Sequence, residues 1–286
     1  MSKILLSSDS TCDLTDELKD RYQVHCYPYH IILEGKDYLD NVTIHPEEIF
    51  QAYYDRKALP HTTAINTFEY REYFEKLFKE TGCDYIIHFN LGGAISSSHS
   101  NCVAAAKEVG NVYSIDSFNL STGTGLLVIK AAELIGKGYE VEDVVREVEA
   151  MRGKVRASFI LDTLKFMKAG GRCSAVTAFS ASMLKIKPMI LVNNADGSMG
   201  VGKKYRGHLE KVLVKYVEDT LDSYEDIDTS RIFITYSSLD DLETVELVRK
   251  AIASKYTFDE IHVTTASSTI SCHCGPNTLG ILFMTK

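Results

Sequence analysis

The stretch Tyr85–Asn101 constrains the chain more than any other. A β-prone apolar run, Tyr85-Ile86-Ile87-His88-Phe89, passes through Asn90-Leu91 into a glycine corner, Gly92-Gly93-Ala94-Ile95, and then into Ser96-Ser97-Ser98-His99-Ser100-Asn101. The alanine-rich segment that follows, Cys102 to Val109, reads as helix. A strand, a glycine turn and a helix start together present backbone N–H groups and side-chain oxygens above a sheet edge. Ser and Asn also favour helix caps for local reasons. Four serines within five residues exceed what one cap uses, which marks the cluster as a candidate ligand-facing loop.

The surrounding composition narrows the classes. The 286 residues allow two ordinary domains or one large one, and 45% hydrophobic with 24% charged content is that of a packed protein. A net charge of −8 argues against a nucleic-acid partner, because phosphate backbones need a basic face. Seven cysteines form no Cys-x-x-Cys pair, and an odd count suits a reducing compartment. Cys272-His273-Cys274 lacks a second ligand pair at zinc-site spacing, so no metal is expected. The start, Met1-Ser2-Lys3-Ile4-Leu5-Leu6, turns polar at Ser7 and reads as a buried strand rather than a secretory segment. No apolar run approaches the ~20 residues that span a bilayer. The expectation is a soluble, cytoplasmic protein.

Along the chain, Lys3–Ser8 reads as a first strand, and Thr15 caps a short helix with Asp16 and Glu17 in its first turn. Val24–Leu33 is β-like, with Glu34-Gly35-Lys36-Asp37 as a hairpin turn, and Pro46 opens a helix running to about Arg56. Leu59–Asn66 reads as a polar loop, and Asn66 with Glu69 forms a capping box for a helix that puts Tyr70, Phe74, Leu77 and Phe78 on one face. After the serine cluster come a short strand at Asn111–Ile115, a helix opened by Ser121-Thr122-Gly123-Thr124-Gly125 with a Leu127, Ala131, Leu134, Ile135 stripe, and a second striped helix. This alternation predicts a parallel sheet covered by helices. The style changes near Arg152: Arg156–Leu161 is a strand, Lys187–Val192 and Met199–Tyr205 flank an Asn193–Gly197 turn, and strands recur at Arg231–Tyr236, Glu260–Thr264 and Leu279–Met284. A mixed sheet is expected there, giving units 1–155 and 156–286.

Several chemistries find no motif. There is no Walker loop, Gly123-x-Gly125 lacks the third glycine of a dinucleotide fingerprint, and no serine sits in a Gly-x-Ser-x-Gly elbow. Three loops carry convergent polar groups at expected strand ends: Thr62/Thr63, Ser96–Ser98, and Gly170-Gly171-Arg172 with His273. Hydroxyls bind a carboxylate or phosphate through short donated hydrogen bonds, and arginine offers a planar fork. Each also has a plain reading, as ordinary loop threonines, a helix cap, a helix C-terminal stop with a solvated arginine, and a turn histidine beside Gly275-Pro276.

The ordered set of motifs resembles the DegV family, which includes the fatty-acid-binding subunits of bacterial fatty acid kinase. Asp9-Ser10-Thr11-Cys12-Asp13-Leu14 is similar to its Asp-Ser-x-x-Asp-Leu opening, and Asp116-Ser117 with Ser121, Gly123 and Gly125 to its Asp-Ser…Ser-x-Gly-x-Gly. Leu164–Arg172 resembles Leu-x-x-Leu-x-x-Gly-Gly-Arg, with Met167 for the second leucine. Leu184-Lys185-Ile186-Lys187-Pro188, then Asp196-Gly197 with Arg206, and finally His273-Cys274-Gly275-Pro276 follow in register. Two loops depart: Thr-Ser-x-Pro-Ser appears as Thr62-Thr63-Ala64-Ile65-Asn66, and Leu-Ser-Gly-Thr-Tyr as Ile95-Ser96-Ser97-Ser98-His99.

The resemblance implies a two-domain α/β fold of the DegV-like (EDD) type, with a parallel-sheet N-terminal domain, a mixed-sheet C-terminal domain and a tunnel between them holding one long-chain fatty acid. The carboxyl would meet Thr62 or Thr63 and Ser96, with Ser97 beside it, and Arg172 and His273 would sit near the carboxyl end. A separate ATP-dependent kinase subunit would phosphorylate the bound acid for phospholipid metabolism, with no cofactor on this chain and with transient contact at a membrane surface. The rival reading is a serine-dependent lipid or ester hydrolase using Ser96 with His99 or His273. A third is a small-anion sensor built on the same loops without a deep tunnel.

Overall fold

The computed structural model describes residues 2–177 and 186–286. Leu184-Lys185, the start of one family-like motif, lie outside the described residues. The first half runs β1 (Ile4–Asp9), α1 (Asp16–Tyr22), β2 (Val24–Tyr27), β3 (His30–Leu33), β4 (Lys36–Leu39), α2 (Pro46–Arg56), β5 (His61–Thr63), α3 (Thr67–Thr81), β6 (Tyr85–Asn90), α4 (Ser98–Val109), β7 (Val112–Asp116), α5 (Thr122–Gly136) and α6 (Val141–Met151). Strands in the order β2-β1-β6-β7 form a fully parallel sheet, with Leu6 level with Val24 on one side and Ile87 on the other. Helices cover such a sheet on both faces, which explains why β6 is a nearly unbroken apolar run.

The second half runs β8 (Val155–Ile160), α7 (Lys165–Gly170), α8 (Ser174–Thr177), β9 (Ile186–Val192), β10 (Met199–Arg206), α9 (Leu209–Leu221), β11 (Ile227–Tyr236), α10 (Glu243–Ala253), β12 (Glu260–Thr265), α11 (Ser268–Cys274) and β13 (Leu279–Thr285). Its sheet, in the order β10-β9-β8-β13-β11-β12, is antiparallel except for the parallel β11/β12 pair. The expected mixed sheet is therefore present.

Local signals hold where the chemistry is local. Thr15 Oγ1 accepts from the Leu18 N–H, and Asn66 and Glu69 exchange both bonds of a capping box. Glu34 and Gly35 both take positive φ, which builds the tight turn between β3 and β4. Asn66→Ala removes one side of the capping box and should lower stability by about 1 kcal/mol, read as a lower midpoint in thermal unfolding.

Four expectations need correction. Val24–Leu33 is two strands, because Pro28 lacks the N–H that would continue a ladder. β2 stays in the parallel sheet, while β3 enters a separate antiparallel sheet in the order β4-β3-β5. The supposed loop at His61–Thr63 is β5, whose pairing with β3 a local reading could not supply. α4 starts at Ser98 rather than Cys102, so two of the four serines lie in its first turn. His273 sits in the last turn of α11 rather than in an open turn, with Ser267 Oγ capping that helix at Ile270 N.

Helix α5 joins the halves. Leu126, Leu127, Val128 and Ile129 are all buried, so the first half of this helix is enclosed on every side, while Lys130 and Glu133 of its second half reach partly exposed ion pairs. It packs against β1 and β6 on one side and β8 and β13 on the other. One apolar cluster therefore spans both sheets, including Phe89 and Ile115 of the first and Ala157 and Leu282 of the second.

Candidate functional site

Beside α5, where the two sheets and the small β3 sheet converge, lies a narrow, partly enclosed cavity. Its polar end is formed by Thr62 and Thr63 of β5, Ser96 of the glycine corner, Arg172 after α7, and His273 of α11. Its body is apolar, with Leu91, Ile95, Leu120, Phe159, Met199 and Ile270 among the walls. A further small space shares Leu120, Phe159, Ile270 and Cys274 with it and continues toward Tyr236 and Leu282. Five of the six residues singled out in sequence line the first cavity. Ser97 does not: it is exposed and borders an open depression outside, with Gly93, His99 and Asp116.

The polar end is organised by hydrogen bonds within the protein. His273 Nε2 lies 2.8 Å from Thr62 Oγ1, while its Nδ1 is buried without a partner. A buried N–H without an acceptor costs more than a bare lone pair, so the proton belongs on Nε2, which donates to Thr62. The Thr62 O–H is then left to donate into the cavity. Ser96 Oγ accepts from the Ser98 N–H at 3.2 Å, donates to Ser98 Oγ at 3.1 Å and stands 3.1 Å from Tyr29 Oη, while Ser98 Oγ accepts from Ile65 N. These contacts pin the serine loop to the segment that follows β5. Arg172 closes the rim: its Nη1 donates to Gly170 O at 2.7 Å and its Nε to Ile95 O at 3.4 Å.

Burial lowers the pKa of His273 to about 4, with the Arg172 cation and His61 adding to the effect. The imidazole is neutral at pH 7. Because the folded value lies below the usual 6.5, the associated stability is complete above about pH 6.5 and is lost as pH falls toward 4. His273→Gln should flatten that part of the stability profile, measured by urea unfolding between pH 7 and pH 4. Gly170 is required by the same histidine. A Cβ at position 170 would collide with His273 Nδ1. Gly170→Ala should displace the ring and break its bond to Thr62, visible as a shifted His273 resonance.

Beneath the cavity, Asp9 at the end of β1 accepts from Tyr70 Oη (2.6 Å), His88 Nε2 (3.0 Å) and the Leu91 N–H (2.9 Å), all buried. It fixes where β6 hands over to the glycine corner. Asp13 does similar work on the far side. Its carboxyl accepts from Ser121 Oγ, just before α5, and from Ser267 N, the cap of α11. Burial pushes its pKa well up.

The sequence did not single out Tyr29, Leu120, Phe159, Met199 or Ile270 as lining residues. An apolar side chain facing a cavity has the same local pattern as one facing a core. Among the described residues, no group of three His, Cys, Asp or Glu is arranged to hold a metal. No described helix is long and apolar enough to cross a membrane.

A family model described as "Uncharacterised protein, DegV family" matches residues 3–286. The chain belongs to the DegV family. Among DegV relatives, a DegV domain-containing protein of Caldanaerobacter subterraneus subsp. tengcongensis is 29% identical over the whole of both chains. The solved structure of a fatty-acid-binding DegV family protein from Thermus thermophilus is 28% identical, with a TM-score of 0.89, covering 99% of this chain and 100% of that one. DegV from Bacillus subtilis, a fatty acid binding protein, is 25% identical with a TM-score of 0.83 over all of both chains. The DegV fold expected from the motifs is thus the fold observed. The altered loop Ile95–His99 still brings Ser96 to the cavity, held there by Tyr29 and Ser98.

Proposed function

We propose that this protein binds one long-chain fatty acid in the cavity between the sheets, within units 1–155 and 156–286. The observation that carries the reading is an apolar cavity whose described walls bring the hydroxyls of Thr62, Thr63 and Ser96 together with Arg172, while Tyr29 and Thr269 add further hydroxyls to the lining. A carboxylate brought into such a dry site needs donors, and a His273-bonded Thr62 has its proton free to donate. The apolar lining continues past Phe159 and Ile270 toward Tyr236 and Leu282, the direction in which side chains would part for a tail.

A calorimetric titration with saturated fatty acids of increasing length tests this. Each buried methylene contributes about 0.8 kcal/mol, or about fourfold in affinity. Affinity should climb by steps near that size until the tail fills the space, whereas a flat series would contradict an enclosed tail.

The finer reading is that the carboxyl end is presented to a separate ATP-dependent kinase subunit, which converts it to an acyl phosphate. Arg172 at the rim is the cation suited to that product. Arg172→Ala should retain fatty acid yet lose most acyl-phosphate formation with such a partner and ATP. Normal turnover would remove Arg172 from the step. Transient contact with a membrane surface would serve loading. The hydrolase reading is disfavoured by the hydrogen bonding: Ser96 is held by Tyr29 and Ser98, His99 Nδ1 faces Asn90 and Ser114, and His273 faces Thr62.

A further inference from the structure

Two cysteines outside the ligand cavity meet at the end of β1. Cys12 lies in the short 3-10 turn Ser10–Cys12 that follows the strand. Cys26 lies on β2, level with Ser8 of β1. Both are free thiols, and their Sγ atoms are 3.8 Å apart. A disulfide needs about 2.05 Å, so bond formation must draw the two sulfurs together from 3.8 Å. Cys12 is buried, whereas Cys26 is only partly buried and gives a small oxidant an approach.

The backbone ties this pair to the rest of the molecule. The residue after Cys12 is Asp13, held in the left-handed region at φ 51°. Its carboxyl links the start of α5, through Ser121, to the cap of α11, through Ser267. α11 carries His273. Drawing Cys12 toward β2 therefore pulls directly on the Asp13 bridge.

We propose that Cys12 and Cys26 form a reversible intramolecular disulfide when exposed to a peroxide, and that its closure loosens the Asp13 link to α11. The contact prepares the chemistry: sharing a proton between the two sulfurs, with the nearby Lys19 ammonium, favours the thiolate on Cys12 and holds the Cys26 thiol well up until Cys12 has reacted. In the first step a thiolate sulfur attacks one peroxide oxygen, the O–O bond breaks, and the departing hydroxide takes a proton to leave as water. The resulting sulfenic acid is attacked by the second thiolate. The S–S bond forms, the S–O bond breaks, and a second water leaves. Two thiols lose two electrons, and one peroxide becomes two waters.

Hydrogen peroxide titration of the full-length protein, followed by alkylation and peptide mapping, tests the proposal. Cys12 and Cys26 should be lost from alkylation together, appear as one cross-linked peptide pair, and return on adding dithiothreitol. Cys26→Ser should form no such cross-link and leave a Cys12 sulfenic acid that dimedone traps. Cys26→Ala serves as the second variant should serine perturb the strand. Amide exchange across residues 267–274 should rise on oxidation of the wild type and stay at the reduced level in Cys26→Ser. Both thiols remaining alkylatable while other cysteines oxidise would overturn the pairing. A disulfide that leaves exchange at 267–274 unchanged would overturn its action on α11.

Discussion

Replacing Thr62 with valine and Ser96 with alanine in one chain should weaken fatty-acid binding by about two to four powers of ten. On the proposed reading each hydroxyl turns to donate to the ligand carboxylate, Ser96 giving up its bond to Ser98 Oγ, and a hydrogen bond to a charged group is worth about 1.5–3 kcal/mol. Valine keeps the shape of threonine, so the wall of the cavity is preserved while the donor is lost. It also leaves the His273 Nε2–H without its 2.8 Å partner, which costs about 1–3 kcal/mol in stability before relaxation. Competition binding against a labelled fatty acid, with an unchanged circular dichroism spectrum as control, reads the effect. Affinity within a few-fold of wild type would place the carboxylate elsewhere.

The largest loss of stability should come from Asp9→Ala. That side chain is fully buried and accepts from Tyr70, His88 and the Leu91 N–H. Alanine would strand three buried donors at once, each costing about 1–3 kcal/mol before relaxation, so a net loss of about 3–5 kcal/mol is expected. Urea unfolding would show it as a lower midpoint with little change in slope. Because Leu91 opens the glycine corner, the same change should also disturb Ser96. A loss below about 1 kcal/mol would mean that water enters and satisfies the orphaned groups.

Much of this architecture was legible where the cause is local. Thr15, Pro46 and the Asn66–Glu69 box mark helix starts by their own hydrogen bonding or lack of it. Glu34-Gly35 marks a turn by its tolerance of positive φ. What stayed hidden depends on partners far along the chain. His61–Thr63 becomes a strand only because β3 lies beside it, and β2 parts from β3 because they serve different sheets.

The candidate site divides in the same way. Thr62, Ser96, Arg172 and His273 stand out as polar groups at strand and helix ends, and the ordered motifs add to that signal. Their arrangement does not: Thr62 and His273 are 211 residues apart yet bonded. Asp9 and Asp13 were visible only as letters of a motif. Their burial beneath the cavity and their role in holding β6, α5 and α11 emerge from the packing.

Native mass spectrometry of the purified full-length protein, before and after incubation with a long-chain fatty acid, tests the central claim most directly. The account predicts a complex of one fatty acid per chain that survives desolvation, and its loss in the Thr62→Val, Ser96→Ala variant. A wild-type protein that stays at its bare mass under saturating fatty acid would contradict it.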